Sequence, residues 1–335
     1  IVKGFALTLS IGLLASMFTA IFVTRVIMES LLDTGLLKSL PMLKLIRETK
    51  IDFIGKRKIF YVISIIVIGV GLFSFFSKKE NAYGIDFSGG QIQEYMFKTA
   101  PEIDNVRKVL KELNLEDASI QQFKDNPRAI LIKTSSDRST DLTDKLKKAF
   151  PDQDIQILKI EHVGPVAGKH LKTKAVYAII FSLIGILIYV AFRFRHFNFA
   201  AAGVIALIHD VLVALGFMAL TNRAIDLLSV TAFLAIAGFS INDTIVIYDR
   251  VRENMRLNRK LSLHEVINLS VNQTLGRTIL TSGVTLFTVV ALFIYGGEVL
   301  SNFAFALLVG FTSGVYSTVY IASPLVLAWS RKSSK

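Results

Sequence analysis

Ile225 to Tyr248 reads IDLLSVTAFLAIAGFSINDTIVIY, with no lysine or arginine and with Asp226 and Asp243 as its carboxylates. A run this long and apolar passes the roughly 18 residues that mark a spanning helix, since about 20 cross a hydrocarbon layer of about 30 Å. It therefore reads as a transmembrane helix with an acid set into it. Comparable runs lie near Phe5 to Thr24, Ile59 to Phe76, Ala175 to Phe192, Phe199 to Leu220, Ile279 to Gly296 and Phe303 to Trp329, about seven spans in all. The fold class is accordingly a polytopic α-helical membrane protein. Composition agrees: of 335 residues, 52% are hydrophobic and 19% charged, against about a quarter charged in soluble proteins.

Short loops set the orientation, because lysine and arginine collect on the cytoplasmic side. Basic residues crowd Arg25 to Lys58 (Lys38, Lys44, Arg47, Lys50, Lys56, Arg57), Arg193 to His196, Asp249 to Gly276 (Arg250, Arg252, Arg256, Arg259, Lys260) and the tail Arg331 to Lys335. Thr221 to Ala224 and Gly297 to Asn302 hold only Arg223 and Glu298 as charges, and the two sets of loops alternate. The net charge of +12 is thus a topology signal, and no nucleic-acid partner is expected, since that would need a basic face on a folded domain. The expected division is a first helix over 1–25, a basic cytoplasmic linker over 26–58 and a second helix over 59–77. An extracytoplasmic domain follows over 78–173, then a five-helix bundle over 174–330 with a cytoplasmic loop at 249–276, and a basic tail at 331–335. Ile1-Val2-Lys3-Gly4 enters a hydrophobic run at once, without an initiator methionine or a cleavage-site pattern, so the chain reads as the carboxy-terminal part of something longer. The absence of cysteine excludes disulfides and thiolate chemistry and names no compartment.

Lys78 to Thr173 has charges of nearly balanced sign and reads as the soluble domain, on the exterior face of an inner membrane. The pattern gives strand Gln91 to Lys98, helix Glu102 to Leu113, strands Ala118 to Phe123 and Ala129 to Thr134, helix Thr140 to Phe150 and strand Gln153 to Ile160. Val106, Val109, Leu110 and Leu113 form an apolar stripe, and Asp125-Asn126-Pro127 supplies a hairpin turn. The order βαββαβ predicts a ferredoxin-like packing, a docking module whose fold names no ligand. Before it stands Gly84-Ile85-Asp86-Phe87-Ser88-Gly89-Gly90, a tight turn with glycines at Gly84, Gly89 and Gly90 beside Asp86 and Phe87. After it stands Gly164-Pro165-Val166-Ala167-Gly168-Lys169-His170, which lacks the spacing and the Ser or Thr of a phosphate loop and reads as a stiff elbow. No metalloprotease helix and no hydrolase elbow is present, so neither enzyme activity nor a cofactor or metal is expected.

Ionisable groups inside spans cost about 2.5 to 3.5 kcal/mol each on insertion scales, and they usually face the bundle interior with a task to perform. His209 and Asp210 lie midway along one span, while Asn242 and Asp243 lie about 8 to 9 Å from the centre of another. Arg277 opens the next span, and Thr281, Thr285 and Thr288 continue its face at helical spacing. An ion pair between Asp243 and Arg277 is expected at similar depth, with Ser240, Gly238 and Gly283 permitting close helix approach. The expected proton relay is Asp243, Arg277, Asn242, Asp210, His209 and Thr281. One or two protons could shift a bistable bundle, since the potential supplies about 2.3 kcal/mol per charge per 100 mV.

These residues resemble SecF, as it occurs in fused SecDF proteins of the RND transporter superfamily. The resemblance rests on Gly84 to Gly90, His162-Val163-Gly164-Pro165, His209-Asp210, Ser240 to Val246, Asp249 to Asn254, and Arg277-Thr278 with Thr281-Ser282. Lys3 to Arg25 looks like the last helix of SecD. The resemblance implies a proton-driven accessory subunit of the Sec translocase, in which Asp243 and Arg277 match positions implicated in proton use. It also implies as partners the SecD portion, the SecY, SecE and SecG channel with its SecA motor, YajC and YidC-type accessory proteins, the moving preprotein and membrane lipid. Two other readings stay open: a proton-coupled efflux or lipid-transport subunit, and a non-transporting scaffold.

Overall fold

The computed structural model describes residues 2–36, 49–115, 118–123, 126–134 and 139–332. Lys38, Lys44, Arg47, Asp125 and the last three residues of the basic tail lie outside these. Among the described residues seven helices are long and apolar enough to cross a membrane: Ala6–Asp33, Arg57–Ala82, Pro165–Phe194, Phe197–Leu220, Leu227–Leu257, Leu263–Tyr295 and Leu300–Ser330. The first consists of α1 (Val2–Phe18), a π turn at Thr19–Val23 and α2 (Thr24–Asp33). Then follow α3 (Arg57–Lys78) and a one-turn helix α4 (Ile85–Ser88).

The small domain comes next, with β1 (Gly90–Met96), α5 (Ile103–Glu112), β2 (Ser119–Gln122), β3 (Ala129–Thr134), α6 (Ser139–Ala149) and β4 (Gln156–Val163). Its sheet has the order β2-β3-β1-β4 with every neighbouring pair antiparallel, the ferredoxin-like arrangement expected from βαββαβ. Its core joins Tyr95, Phe97, Ile130 and Ile132 to the stripe Val106, Val109, Leu110 and Leu113 and to Leu142 and Leu146. The last strand starts later than the sequence suggests, because Pro151–Gln153 forms a 3-10 turn and Asp154 turns left-handed. Among the described residues β4 pairs with β1 alone and forms the sheet edge, where Ile157, Leu158 and Ile160 are exposed.

The remaining helices are α7 (Pro165–Phe194), α8 (Phe197–Leu220), α9 (Leu227–Leu257), α10 (Leu263–Tyr295), α11 (Gly297–Ser317) and, after a second π turn at Thr318–Ala322, α12 (Ser323–Lys332). α7, α9 and α10 outrun the apolar windows that announce them. Hydropathy registers only the lipid-facing part, whereas the backbone ladder continues wherever caps and polar side contacts support it. Within the segment expected as a loop at 249–276, α9 and α10 therefore continue and pack on each other: Asn254 Nδ2 donates to Ser270 Oγ at 2.9 Å and to Gln273 Oε1 at 2.8 Å. Ser262 and Glu265 close a capping box at the start of α10. The chain ahead of α3 is held to the same helix, with Asn272 bonded to both the N–H and the carbonyl of Ile51 and Asn268 accepting from Phe53 N.

α8, α9 and α11 form the buried centre, and α1, α3, α7 and α10 present most of their apolar surface outward. Two apolar clusters fill the bundle. One, around Phe194, Phe199, Tyr248, Val271 and Val326, lies at the end where α3 begins; the other, around Phe87, Met218, Phe233, Phe303 and Phe311, lies beneath the sheet domain. α3 meets α8 backbone to backbone, for a Cβ placed on Gly71 would lie 2.7 Å from the Cα of Gly216. Gly238 and Gly283, expected to sit at such contacts, instead have no heavy atom within 4 Å of where a Cβ would stand.

Candidate functional site

The two apolar clusters are separated by a polar layer at mid-bundle. Asp210 on α8 is fully buried, accepts from three hydroxyls and faces a histidine ring nitrogen. Ser240 Oγ on α9 and Ser317 Oγ on α11 donate to its Oδ2, each at 2.7 Å, and Ser313 Oγ on α11 donates to Oδ1 at 2.7 Å. His209 Nδ1 faces the same Oδ1 at 3.1 Å. The other ring nitrogen, Nε2, lies 3.0 Å from Ser64 Oγ on α3, which lies 2.9 Å from the hydroxyl of Tyr316 on α11. Tyr316 donates in turn to the carbonyl of Phe60 at 2.7 Å, one turn from the start of α3.

One turn further along α9, Asp243 is 6% exposed and accepts a single bond, from Ser282 Oγ on α10 at 2.9 Å. The expected ion pair with Arg277 is not formed. On α10 the residues turned toward α9 are Thr278 and Ser282, four apart, whereas Arg277 and Thr281 are rotated about 100° away onto the exposed face. Thr281 bonds back to the carbonyl of Arg277 at 2.9 Å, and Thr285 and Thr288 likewise serve their own helix. Asn242 is exposed as well. The six relay residues thus fall into three places: His209 and Asp210 in the polar layer, Asp243 behind Ser282, and Asn242, Arg277 and Thr281 on the outer surface. Buried Thr278 has a hydroxyl with no partner.

Ser64, Ser282, Ser313, Tyr316 and Ser317 were not among the expected site residues. The signal that could have found two of them is Ser313 and Ser317, four apart in a span without charged residues and so on one helix face.

The glycine motif is a fastening for the sheet domain. Gly84 N donates to Ile225 O at 2.7 Å, Ile225 N donates to Ala82 O at 2.9 Å, and Asp86 Oδ2 accepts from Leu227 N at 2.9 Å. Phe87 enters the cluster beneath the domain. Gly89 and Gly90 take positive φ of 75° and 122°, and a Cβ on Gly89 would lie 2.9 Å from the Cα of Pro165, so only glycine fits there. Gly164 precedes Pro165 at the first turn of α7, and the stretch through His170 expected as an elbow is the start of that helix. Asp226 caps α9, with Ser229 N donating to its Oδ1 at 2.7 Å. Burial pushes the Asp226 carboxyl above its ordinary range, against the bonds from Ser229, and pulls the Lys133 ammonium on β3 below its own, against the charges of Asp226 and Asp86. Replacing Asp86 by alanine is expected to free the Leu227 amide and weaken the fastening by about 1.5 to 3 kcal/mol, the usual worth of a bond to a charged group. Faster hydrogen exchange at Ile225 and Leu227, with the sheet amides unchanged, is the readout.

Residues 141–332 match the family described as protein export membrane protein SecD/SecF, C-terminal. The protein translocase subunit SecF of Calditerrivibrio nitroreducens is 42% identical over 288 residues, covering 83% of this chain and 94% of that one. The chain belongs to the SecD/SecF family. Another member, the protein translocase subunit SecDF of Brucella abortus, is 37% identical over 99% of this chain, which spans 44% of that relative's length. The crystal structure of SecDF from Thermus thermophilus, a translocon-associated membrane protein, superposes with a TM-score of 0.87 at 35% identity, covering 98% of this chain and 45% of that one. Family membership and seven apolar helices make this a multi-pass membrane protein of the protein-export kind.

Proposed function

We propose that this chain is the SecF part of a SecDF-type accessory subunit of the Sec translocase, and that Asp243 takes up and releases the protons that drive its work. One observation carries this reading: Asp243 is a carboxylate buried among apolar helices with a single hydroxyl donor and no ion-pair partner among the described residues. Such a group changes the local charge each time it gains or loses a proton, and only the Arg277 charge, beyond ion-pair distance, acts on it from α10. The empty hydroxyl of Thr278, one turn from Ser282, offers the protonated acid a second partner, so the two charge states favour different arrangements of α9 and α10.

Asn242, Arg277 and Thr281 lie on a face this chain leaves open, where a SecD part would close the site and bring a partner to Arg277. The helix over α1 and α2 is read as the last helix of SecD, followed by the basic cytoplasmic linker. In this reading residues 78–173 face the outside of the cytoplasmic membrane and meet the emerging preprotein, and SecY, SecE, SecG, SecA and YajC or YidC-type proteins are the partners. A charge moved across the membrane gains about 2.3 kcal/mol per 100 mV, and a pH unit adds about 1.4, enough to rock a bistable bundle. The test is Asp243→Asn in the intact assembly. ATP-driven export into inverted vesicles should continue, and the increment gained from a proton gradient should vanish. An undiminished increment would overturn the reading.

A further inference from the structure

Hydrogen-bond direction fixes more at the polar layer than distances alone. A carbonyl only accepts, so Tyr316 spends its one hydroxyl proton on Phe60 O. Ser64 must then donate to Tyr316 at 2.9 Å, and because its proton is used, His209 Nε2 must carry a proton and donate to Ser64. At the other side of the ring, Nδ1 lies 3.1 Å from Asp210 Oδ1 and 3.5 Å from Ser313 Oγ, but Ser313 has its much shorter bond, 2.7 Å, to Oδ1 and spends its proton there, while Ser240 and Ser317 turn theirs onto Oδ2. A bare Nδ1 facing a bare carboxylate oxygen would set two lone pairs against each other in a fully buried place. A proton must lie between them, either on Asp210 with a neutral ring or on Nδ1 as an imidazolium. Counted together, the pair holds one proton more than a neutral imidazole and a carboxylate.

We propose that His209 and Asp210 form a second proton-holding site and that Ser64 and Tyr316 are the wire joining it to the end of α3 remote from the sheet domain. The inference deepens the reading of Asp243 and rests on it for its place in transport. The shared proton settles on Nδ1, Nε2 passes its own to Ser64 Oγ, Ser64 passes its proton to the Tyr316 hydroxyl, and Tyr316 releases its proton to water at the α3 end. His209 is then neutral with its proton on Nδ1, facing an ionised Asp210. Every bond of the wire now points the opposite way, and Phe60 O has lost its donor.

The groups facing the pair are Ser64 from α3, Ser240 from α9, and Ser313, Tyr316 and Ser317 from α11, of which Tyr316 is titratable. Among the described residues no lysine or arginine is ion-paired with Asp210, and Asp243 stands three residues along α9 from Ser240. Ser240 therefore touches the second site while sharing a helix turn with the first.

The experiment is nitrogen-15 solid-state NMR of the full chain in lipid bilayers. His162, His170, His196 and His264 all lie outside the bundle core and are replaced by glutamine so that His209 alone reports. At neutral pH the ring should carry a proton on Nε2, either as the imidazolium or as the neutral Nε2–H form. A neutral ring protonated only on Nδ1 would overturn the proposal. Tyr316→Phe removes the donor that fixes the direction of the wire, so Ser64 can turn toward the ring and the Nδ1–H form should grow in. A His209 spectrum unchanged in that variant would also overturn it. Ser64→Ala, which breaks the wire and leaves the pair in place, should slow the response of the His209 signals to a pH jump about tenfold or more; an equal rate would refute the path. If the Asp243 reading fails instead, gradient-driven export survives Asp243→Asn while these signals stay as described, so the two failures are told apart.

Discussion

Gly216→Ala is expected to prise α3 off α8 with a single methyl group. A Cβ at Gly216 would stand 2.7 Å from the Cα of Gly71, 3.4 Å from its carbonyl carbon and 3.9 Å from its nitrogen. Non-bonded carbons rest about 3.5 to 4.0 Å apart, so the helices must separate by about 1 Å or more, and no side chain can rotate away because the obstacle is backbone. Overpacking typically costs about 1 to 3 kcal/mol, and a backbone obstacle places this change at the upper end. The displacement also carries Ser64, on the same helix as Gly71, away from its 3.0 Å contact with His209. Gly71→Ala should behave alike. Gly69→Ala is the control, since a Cβ there meets nothing within 4 Å, and alanine is the better helix former by about 1 kcal/mol. Unfolding of the three variants in detergent should show the first two destabilised and the third unchanged or improved. Equal behaviour at positions 69 and 71 would show that the close approach does not hold the bundle.

Much of this architecture was legible in the sequence because the forces behind it act on the pattern of residue types. Lipid demands long apolar runs whose backbone satisfies itself, so the seven spans could be counted. Alternation of strands and helices, with Val106, Val109, Leu110 and Leu113 on one stripe, was enough for the βαββαβ domain. Helix ends were less legible, since α9 and α10 continue beyond their apolar windows on capping boxes and side-chain bonds, and α7 begins at Pro165, none of which hydropathy registers. The candidate site was legible in its carboxylates and illegible in its partners. Asp210 and Asp243 stand out because a charge in an apolar run is costly, whereas Ser64, Ser282, Ser313 and Ser317 are ordinary in membrane helices until three-dimensional packing aims them. The expected pairing of Asp243 with Arg277 failed on rotation about the helix axis. Residues 277 and 278 share a depth and face about 100° apart, and depth alone was available from the sequence.

The two buried acids should answer to mutation in opposite ways. Asp243→Asn keeps an oxygen to accept from Ser282 and removes the cost of a buried charge, so stability should change by less than about 1 kcal/mol while function is lost. Asp210→Ala removes the common acceptor of three hydroxyls from two helices and strips His209 of the group opposite Nδ1. Breaking such a buried network costs about 3 to 5 kcal/mol. The serines can recover part of this by turning onto their own helix carbonyls, as Ser317 already does toward Gly314 O at 3.2 Å, so the expected loss lies near the lower figure. The ring of His209 has no such refuge, because its neighbours on that side are the serines that have turned away. Asp210→Asn should fall between the two, since its carbonyl oxygen still takes two of the hydroxyls while its amide group makes the remaining serine turn its proton away and accept. A ranking of thermal unfolding with Asp243→Asn nearest the parent, Asp210→Asn next and Asp210→Ala lowest is therefore expected. If Asp210→Ala unfolds with the parent, the polar layer does not hold α8, α9 and α11 together, and Asp210 serves proton handling alone.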